Sequence, residues 1–411
     1  MPQPGRDVIV ADRIVVLGVG PDGALASAVP GDVALVVAGG RHLDVHAPAG
    51  APTMRVPGDL DAAFDAIRTT DGTVCVIGSG DPGWFGIVRL LASRFGDVPL
   101  EVYPATSAVA GAFAAIGLPW DDAVVVSAHG RDPRAAIATA LTHAKVAVMT
   151  APSCTPATIA RALLLAGCGP RRVVVAVRLG HPDATVHDTD LAGAADLAVA
   201  EPNVLLLLDP ERVGTAPRSV VGHTRAPTPW ARPVGAYAHR DGQLSKPAVR
   251  ALALAHLGPG PGRLLWDVGC GSGSVAVEAA GLGAGVVAID RDAEQLERAR
   301  VNAATHGVGL GLVLGEAPAA FAPLPDPDAV FVGGGGTSLP AMLELLTMRC
   351  RNRLAVALAT IERVAPTLAQ LRDAGWEATA QLVEVHDLVT LGDGHRLAPQ
   401  NPIVLVLAER P

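Results

Sequence analysis

Leu264-Leu265-Trp266-Asp267-Val268-Gly269-Cys270-Gly271-Ser272-Gly273 is the stretch on which the fold turns. Its first half is an apolar run of the kind that forms a buried strand. The alternating glycines then turn the chain into a helix: without a Cβ the backbone accepts tight dihedrals and lets a ligand come close. The start of that helix offers N–H groups that have no partner within the helix. A G-x-G alone is weak, because ordinary turns produce it. The residues downstream narrow it.

The next expected strand, Val286–Ile289, leads into Asp290, about 20 residues past the loop, where a carboxylate can accept both hydroxyls of a ribose. Gly315-Glu316-Ala317-Pro318 follows the third strand, a usual place for an adenine. The dinucleotide fingerprint G-x-G-x-x-G is not met, since its sixth position is Ser274. G-x-G-x-G behind the acidic Asp267 fits a cofactor with an amino-acid tail better than one with a pyrophosphate. The expected cofactor is S-adenosyl-L-methionine. A nicotinamide dehydrogenase and a glycine-rich turn without a ligand stay as alternatives at this level.

Outward from the loop, a helix is expected around Pro247–His256, and further strands at Leu310–Leu314, Ala329–Val332, Leu354–Ala359, Leu382–Val385 and Ile403–Leu407. That gives a Rossmann-like, seven-stranded, mostly parallel sheet whose last strands lie close in sequence, as in a hairpin. Upstream, residues 209–237 are rich in Pro, Arg and Gly, with prolines at 210, 217, 227, 229 and 233, and read as a linker. Before that, strands at Ile14–Leu17, Val33–Val37, Val74–Ile77, Val124–Val126, Val146–Met149, Val173–Val177 and Val204–Leu208 alternate with helices at Asp59–Arg68, Ile87–Phe95, Ala108–Ile116 and Thr155–Ala166. The expectation is α/β throughout: one domain over 8–210, a linker over 211–238 and a second domain over 239–411.

Composition agrees. The 411 residues are too many for one ordinary core. Half are apolar and only 3% aromatic, so Val, Leu and Ala must fill the interior. A net charge of -8 disfavours nucleic acid and anionic membranes as partners of the whole-protein field. Five scattered cysteines without a C-x-x-C pair read as reduced thiols. No apolar run approaches the roughly 20 residues of a membrane span, and Met1 to Arg13 lacks a signal-peptide core. A cytoplasmic location is expected. His42 and His46 have the i, i+4 spacing of a metal pair, but Pro48 follows and no third ligand is evident, so no metal is expected. Trp266 and Glu278 are read as structural.

The motifs also resemble known families. Gln243-Leu244-Ser245-Lys246, the glycine loop, and Asp328-Ala329-Val330-Phe331-Val332-Gly333-Gly334-Gly335 with Gly336 resemble the precorrin decarboxylase/C-15 methyltransferase family. Gly18-Val19-Gly20-Pro21, Gly39-Gly40-Arg41-His42, Ser79-Gly80-Asp81-Pro82, Pro104-Ala105-Thr106-Ser107-Ala108, Gly117-Leu118-Pro119 and His129-Gly130-Arg131 resemble the tetrapyrrole methylase family, whose fold is two α/β subdomains. In this order the halves resemble the bifunctional, decarboxylating corrin-ring methyltransferases of the cobalamin pathway. Three departures are visible: Pro-Asp-Gly after Gly20, Gly83-Trp84 in place of bulky apolar residues, and no glutamate just after Asp183 in Arg178–Thr185.

The resemblance implies one S-adenosyl-L-methionine per domain, methylation of a precorrin macrocycle at carbons 5 and 15, and loss of the carbon-12 acetate carboxyl. By position, it implies cofactor contacts at Ser245, Gly269, Cys270, Gly271, Ser272, Gly273, Asp290 and Ala317 in the C-terminal domain. In the N-terminal domain it implies Pro21, Ser79, Gly80, Asp81, Trp84, Ser107, Ala108 and Met149. The substrate is a polycarboxylate, for which Arg41, Arg131, Lys246 and Arg250 are the expected binders. A sulfonium methyl needs holding in line with a nucleophilic carbon more than it needs a covalent nucleophile, and no catalytic acid or base can be named. A homo-oligomer is expected. An enzyme with one active domain and a non-catalytic tetrapyrrole- or adenosylmethionine-binding regulator are the competing readings.

Overall fold

Three sheets order the chain in the computed structural model, which describes residues 11–56, 60–128, 132–214, 230–240, 244–333 and 335–411. The first joins β1 (Arg13–Val19), β2 (Val33–Ala38), β3 (Thr53–Arg55), β4 (Thr73–Ser79) and β5 (Leu100–Tyr103) in the order β3-β2-β4-β1-β5. Its strands are parallel, and the central ones, β2, β4 and β1, are buried on both faces. Ile14 and Val16 pack on one side with Phe64, Ile67 and Leu91 from flanking helices, while Val15, Leu17 and Val19 enter a second cluster on the other. Two buried faces explain why these strands read as unbroken apolar runs.

The second sheet contains β6 (Val124–Ser127), β7 (Lys145–Met149), β8 (Arg172–Val177), β9 (Thr185–Asp190) and β10 (Asn203–Leu208), ordered β6-β7-β10-β8-β9. The third contains β11 (Leu264–Val268), β12 (Gly285–Asp290), β13 (Gly311–Leu314), β14 (Ala329–Gly333), β15 (Arg353–Leu358), β16 (Glu377–Val383) and β19 (Ile403–Glu409), ordered β13-β12-β11-β14-β15-β19-β16. The five strands from β13 to β15 run parallel, and β19 returns antiparallel between β15 and β16. Strand order reverses beside β11, which opens a crevice at the carboxyl ends of β11 and β14.

The fold class is as read from the sequence, with local differences. The strand expected at Leu382–Val385 is β16, which starts at Glu377 because it pairs along the whole of β19. A separate hairpin, β17 (His386–Leu391) with β18 (Gly394–Pro399), stands between β16 and β19. β3, β5 and β9 were not anticipated: β3 is three residues long, β5 is a four-residue strand that is only half-buried, and β9, Thr-Val-His-Asp-Thr-Asp, is an exposed edge with no apolar face.

Two compact units emerge. One comprises Met1–Trp120, Val175–His187 and Val199–Val204, and the other Asp121–Val174, Asp188–Ala198 and Leu205–Pro411. The expected linker falls largely on residues 215–229, outside the described residues. No helix among the described residues is long and apolar enough to cross a membrane.

Candidate functional site

Each unit has its own pocket, and both lie where parallel strands end. In the larger unit β11 runs into the glycine loop. Gly269, Gly271 and Gly273 adopt φ of 68°, 53° and 74°, the left-handed region that excludes most side chains. A Cβ on Gly273 would also lie 2.7 Å from the Cβ of Ala299. Across the crevice, a Cβ on Gly333 would sit 2.9 Å from the Gly269 carbonyl oxygen, so the two glycine loops pass backbone against backbone.

Asp290, at the end of β12, organises this loop. Its Oδ2 accepts from the Gly271 N–H at 2.8 Å and its Oδ1 from the Asp292 N–H at 3.0 Å. Each oxygen keeps a second lone pair, and the carboxylate faces a cavity of about 730 Å³. Ser245, Gly269, Cys270, Gly271 and Ala317 line the same cavity. Ser272 and Gly273 do not: Ser272 is buried beneath the loop, and its carbonyl accepts from Asn302 at 2.8 Å. Sequence reasoning missed Asn302, which also bonds Ala238 in both directions. A single Asn in a helix gives no signal of that kind.

Asp267 lies under the loop, fully buried. Its Oδ2 accepts from the Ala276 N–H at 2.9 Å while Oδ1 has no partner. Burial, with Asp290 nearby, pushes its carboxyl up to about 7. Glu278 is structural, as expected. It takes hydrogen bonds from the Ala231 and Arg232 N–H groups, the Tyr237 hydroxyl and the Arg250 Nε.

That last bond corrects one expectation. Arg250, expected to hold substrate, is 0% exposed; its guanidinium is spent on Glu278 and on the carbonyls of Ser245 and Arg232. It therefore fixes the backbone of Ser245 at the pocket edge and cannot itself reach a ligand. Lys246 flanks the helix Pro247–Leu257 as its half-buried N-cap residue. Arg131 lies outside the described residues.

In the smaller unit a pocket of about 290 Å³ gathers the ends of β1, β4 and β8. A Cβ on Gly18 would collide with the Gly80 carbonyl and the Ala105 N–H, so three distant segments meet at that one glycine. Pro21, Arg41, Ser79, Gly80 and Ala108 line the pocket as expected contacts, joined by Thr106, Arg178, His181 and Asn203, which sequence reasoning did not select. The Ser79 hydroxyl accepts from the Arg41 guanidinium at 2.6 Å and lies 2.8 Å from His42 Nε2.

Asp81, Trp84, Ser107 and Met149 are not among the lining residues. Asp81 closes a turn, its Oδ1 accepting from the Gly83 N–H at 2.8 Å. Ser107 caps the helix Ala108–Ala115 through the Ala110 N–H. Trp84 packs edge-on against Phe85 and Trp120, and Met149 ends β7 in the other unit. Among the described residues no group of three or more His, Cys, Asp or Glu is placed to hold a metal.

Residues 13–195 match the family model described as tetrapyrrole (corrin/porphyrin) methylases, and residues 236–410 match the one described as a precorrin methyltransferase domain. A cobalt-precorrin-7 C(5)-methyltransferase of Salmonella typhimurium is 32% identical over 204 residues, 48% of this chain and 98% of that protein. A decarboxylating precorrin-6Y C(5,15)-methyltransferase of a Sinorhizobium species is 32% identical over 268 residues, 64% of this chain. The aligned stretch spans only 63% of that relative's length. Among solved structures, the C-terminal domain of a precorrin-6Y C5,15-methyltransferase from Rhodobacter capsulatus is 35% identical, covers 44% of this chain and 97% of its own, and has a TM-score of 0.39.

Proposed function

This chain belongs to the tetrapyrrole methylase family and carries a precorrin methyltransferase domain behind it, and on that premise we propose that it methylates a precorrin at carbons 5 and 15 and removes the carbon-12 acetate carboxyl. The observation that carries this reading is a pair of separate pockets, one in each compact unit, each at the carboxyl ends of parallel strands. We assign 8–210 to the carbon-5 reaction and 239–411 to the carbon-15 reaction and decarboxylation, with 211–238 as linker and the cytoplasm as location.

S-Adenosyl-L-methionine, when bound, supplies a methyl already activated on a sulfonium. The residues present fit such a group. In the C-terminal pocket the free lone pairs of Asp290 would hold ribose hydroxyls, Ala317 would border the adenine, and Ser245 with the Gly269–Gly271 backbone would border the amino-acid tail. In the N-terminal pocket Pro21, Ser79, Gly80 and Ala108 would do the corresponding work. The protein's task is to orient the macrocycle's electron-rich carbon on the methyl and to exclude water. The close backbone approach of Gly269 and Gly333 leaves no room for a side chain where the two loops meet.

Incubating the pure chain with precorrin and S-adenosyl-L-methionine and weighing the product tests this. Two added methyl groups and loss of carbon dioxide are expected. One added methyl would leave a single active domain, and an unchanged precorrin would overturn the reading.

A further inference from the structure

The N-terminal pocket gathers more cationic side chains than the single carboxylate of a methyl donor calls for. Arg41, His42, His46, Arg178 and His181 are its ionisable lining residues, and no carboxylate lines it. In a chain of net charge -8 that concentration is a local reversal of sign.

The helix Gly40–His46 presents Arg41 and His42 toward the end of β4, where both meet the Ser79 hydroxyl. A hydroxyl has one proton to give. With Arg41 donating to Ser79 Oγ and the His42 ring hydrogen on Nδ1, that proton goes to the lone pair on His42 Nε2. The surroundings enforce the same state: desolvation first, then the Arg41 and His46 charges, hold His42 down to about 4. The His46 ring stacks on it at 6.1 Å. The acids on the flanking elements are already engaged: Asp22 and Asp81 accept from the Ala24 and Gly83 N–H groups. Asp44, on the same helix, pairs with Arg55 of β3 at 3.4 Å, and Asp183 pairs with Arg178 at 3.0 Å across the pocket. Among the described residues no carboxylate pairs with Arg41.

We propose that this cluster is a carboxylate subsite, in which Arg41 and His42 clasp one acidic side arm of the macrocycle and Arg178 with His181 faces another. The proposal rests on the function proposed above for its substrate, and on the structure alone for the ligand class. An incoming carboxylate supplies the counter-charge that Arg41 lacks and gives the Ser79 hydroxyl a new acceptor. His42 Nε2 is then released to take a proton from solvent and donate to the ligand. Binding is therefore coupled to proton uptake.

Uroporphyrin, a stable octacarboxylate tetrapyrrole, serves as the probe. Titrating it calorimetrically into the full chain near pH 6 in buffers of different ionisation enthalpy counts the protons taken up. Wild type should take up protons on binding. Arg41→Gln should weaken binding about tenfold to a hundredfold, the range expected for a charge-assisted hydrogen bond. His42→Asn should weaken it about tenfold and reduce the proton count, with His42→Gln as the second variant should the first fail to fold. Wild-type binding without proton uptake, or a proton count and affinity unchanged in the His42 and Arg41 variants, would overturn the proposal. If precorrin is methylated while uroporphyrin binding ignores Arg41 and His42, the subsite fails and the function stands. Binding that depends on both residues, with no methylated product, gives the reverse.

Discussion

The two pockets solve a similar problem with opposite means. The decisive part of the C-terminal pocket is one strand–loop–helix–strand unit, β11 to β12, with Asp290 in the cavity and Asp267 beneath it; Arg240 and Arg291, which also line the cavity, pair with Asp292 and Glu316. The N-terminal pocket is gathered from six separated segments, and its charges are cations. A site made by consecutive elements is held by the fold's own local geometry. A site made by distant segments depends on tertiary convergence, here at Gly18, and on side chains such as Ser79 that bridge two elements.

The sharpest way to break this contrast is to remove the support of the local site. Glu278 is fully buried and receives four hydrogen bonds, so Glu278→Ala leaves Arg250 charged and unpaired. The expected loss is about 3–5 kcal/mol, measured by urea unfolding. A loss below about 1 kcal/mol would show that the hub is not holding the unit together.

A smaller effect sharpens the electrostatic side. The folded Asp267 carboxyl titrates at about 7 against an ordinary value of 3.8. A group whose affinity for the proton rises on folding stabilises fully below its unfolded value, and that stabilisation is lost as pH rises through the folded one. Stability should thus fall between about pH 4 and pH 7 in wild type, and Asp267→Asn should flatten that slope. A melting-temperature series across this range measures it; an unchanged slope in the variant contradicts the assignment.

The smallest effect belongs to the N-terminal loop. Asp81→Ala removes one turn-closing hydrogen bond and should cost about 1 kcal/mol. Ligand binding at the N-terminal pocket should change less than with Ser79→Ala. A larger binding loss from Asp81→Ala would mean that its carboxylate, and not the turn, meets the ligand.

How much of this was legible follows the same division. β11 is the strand read at Leu264–Val268, and Asp290 was found by its distance from the loop, because both lie in one contiguous unit. Arg250 was misread because a helical arginine near a motif resembles a surface cation; nothing in the sequence pairs it with Glu278. The helix Gly40–His46 was not anticipated since none of its residues is buried, leaving no apolar period to detect. With that helix went His42, although its spacing from His46 was visible. Thr106, Arg178 and Asn203 reach the pocket through strand order, which no local pattern encodes.

Two independent cofactor pockets, one in each unit, are what the pair of cavities leads us to expect. Calorimetric titration of the full chain with S-adenosylhomocysteine measures this directly. Wild type should bind about two equivalents, and Asp290→Ala should abolish the C-terminal site while leaving the other with its original affinity. One equivalent in wild type, or equal weakening of both sites by Asp290→Ala, would contradict the account.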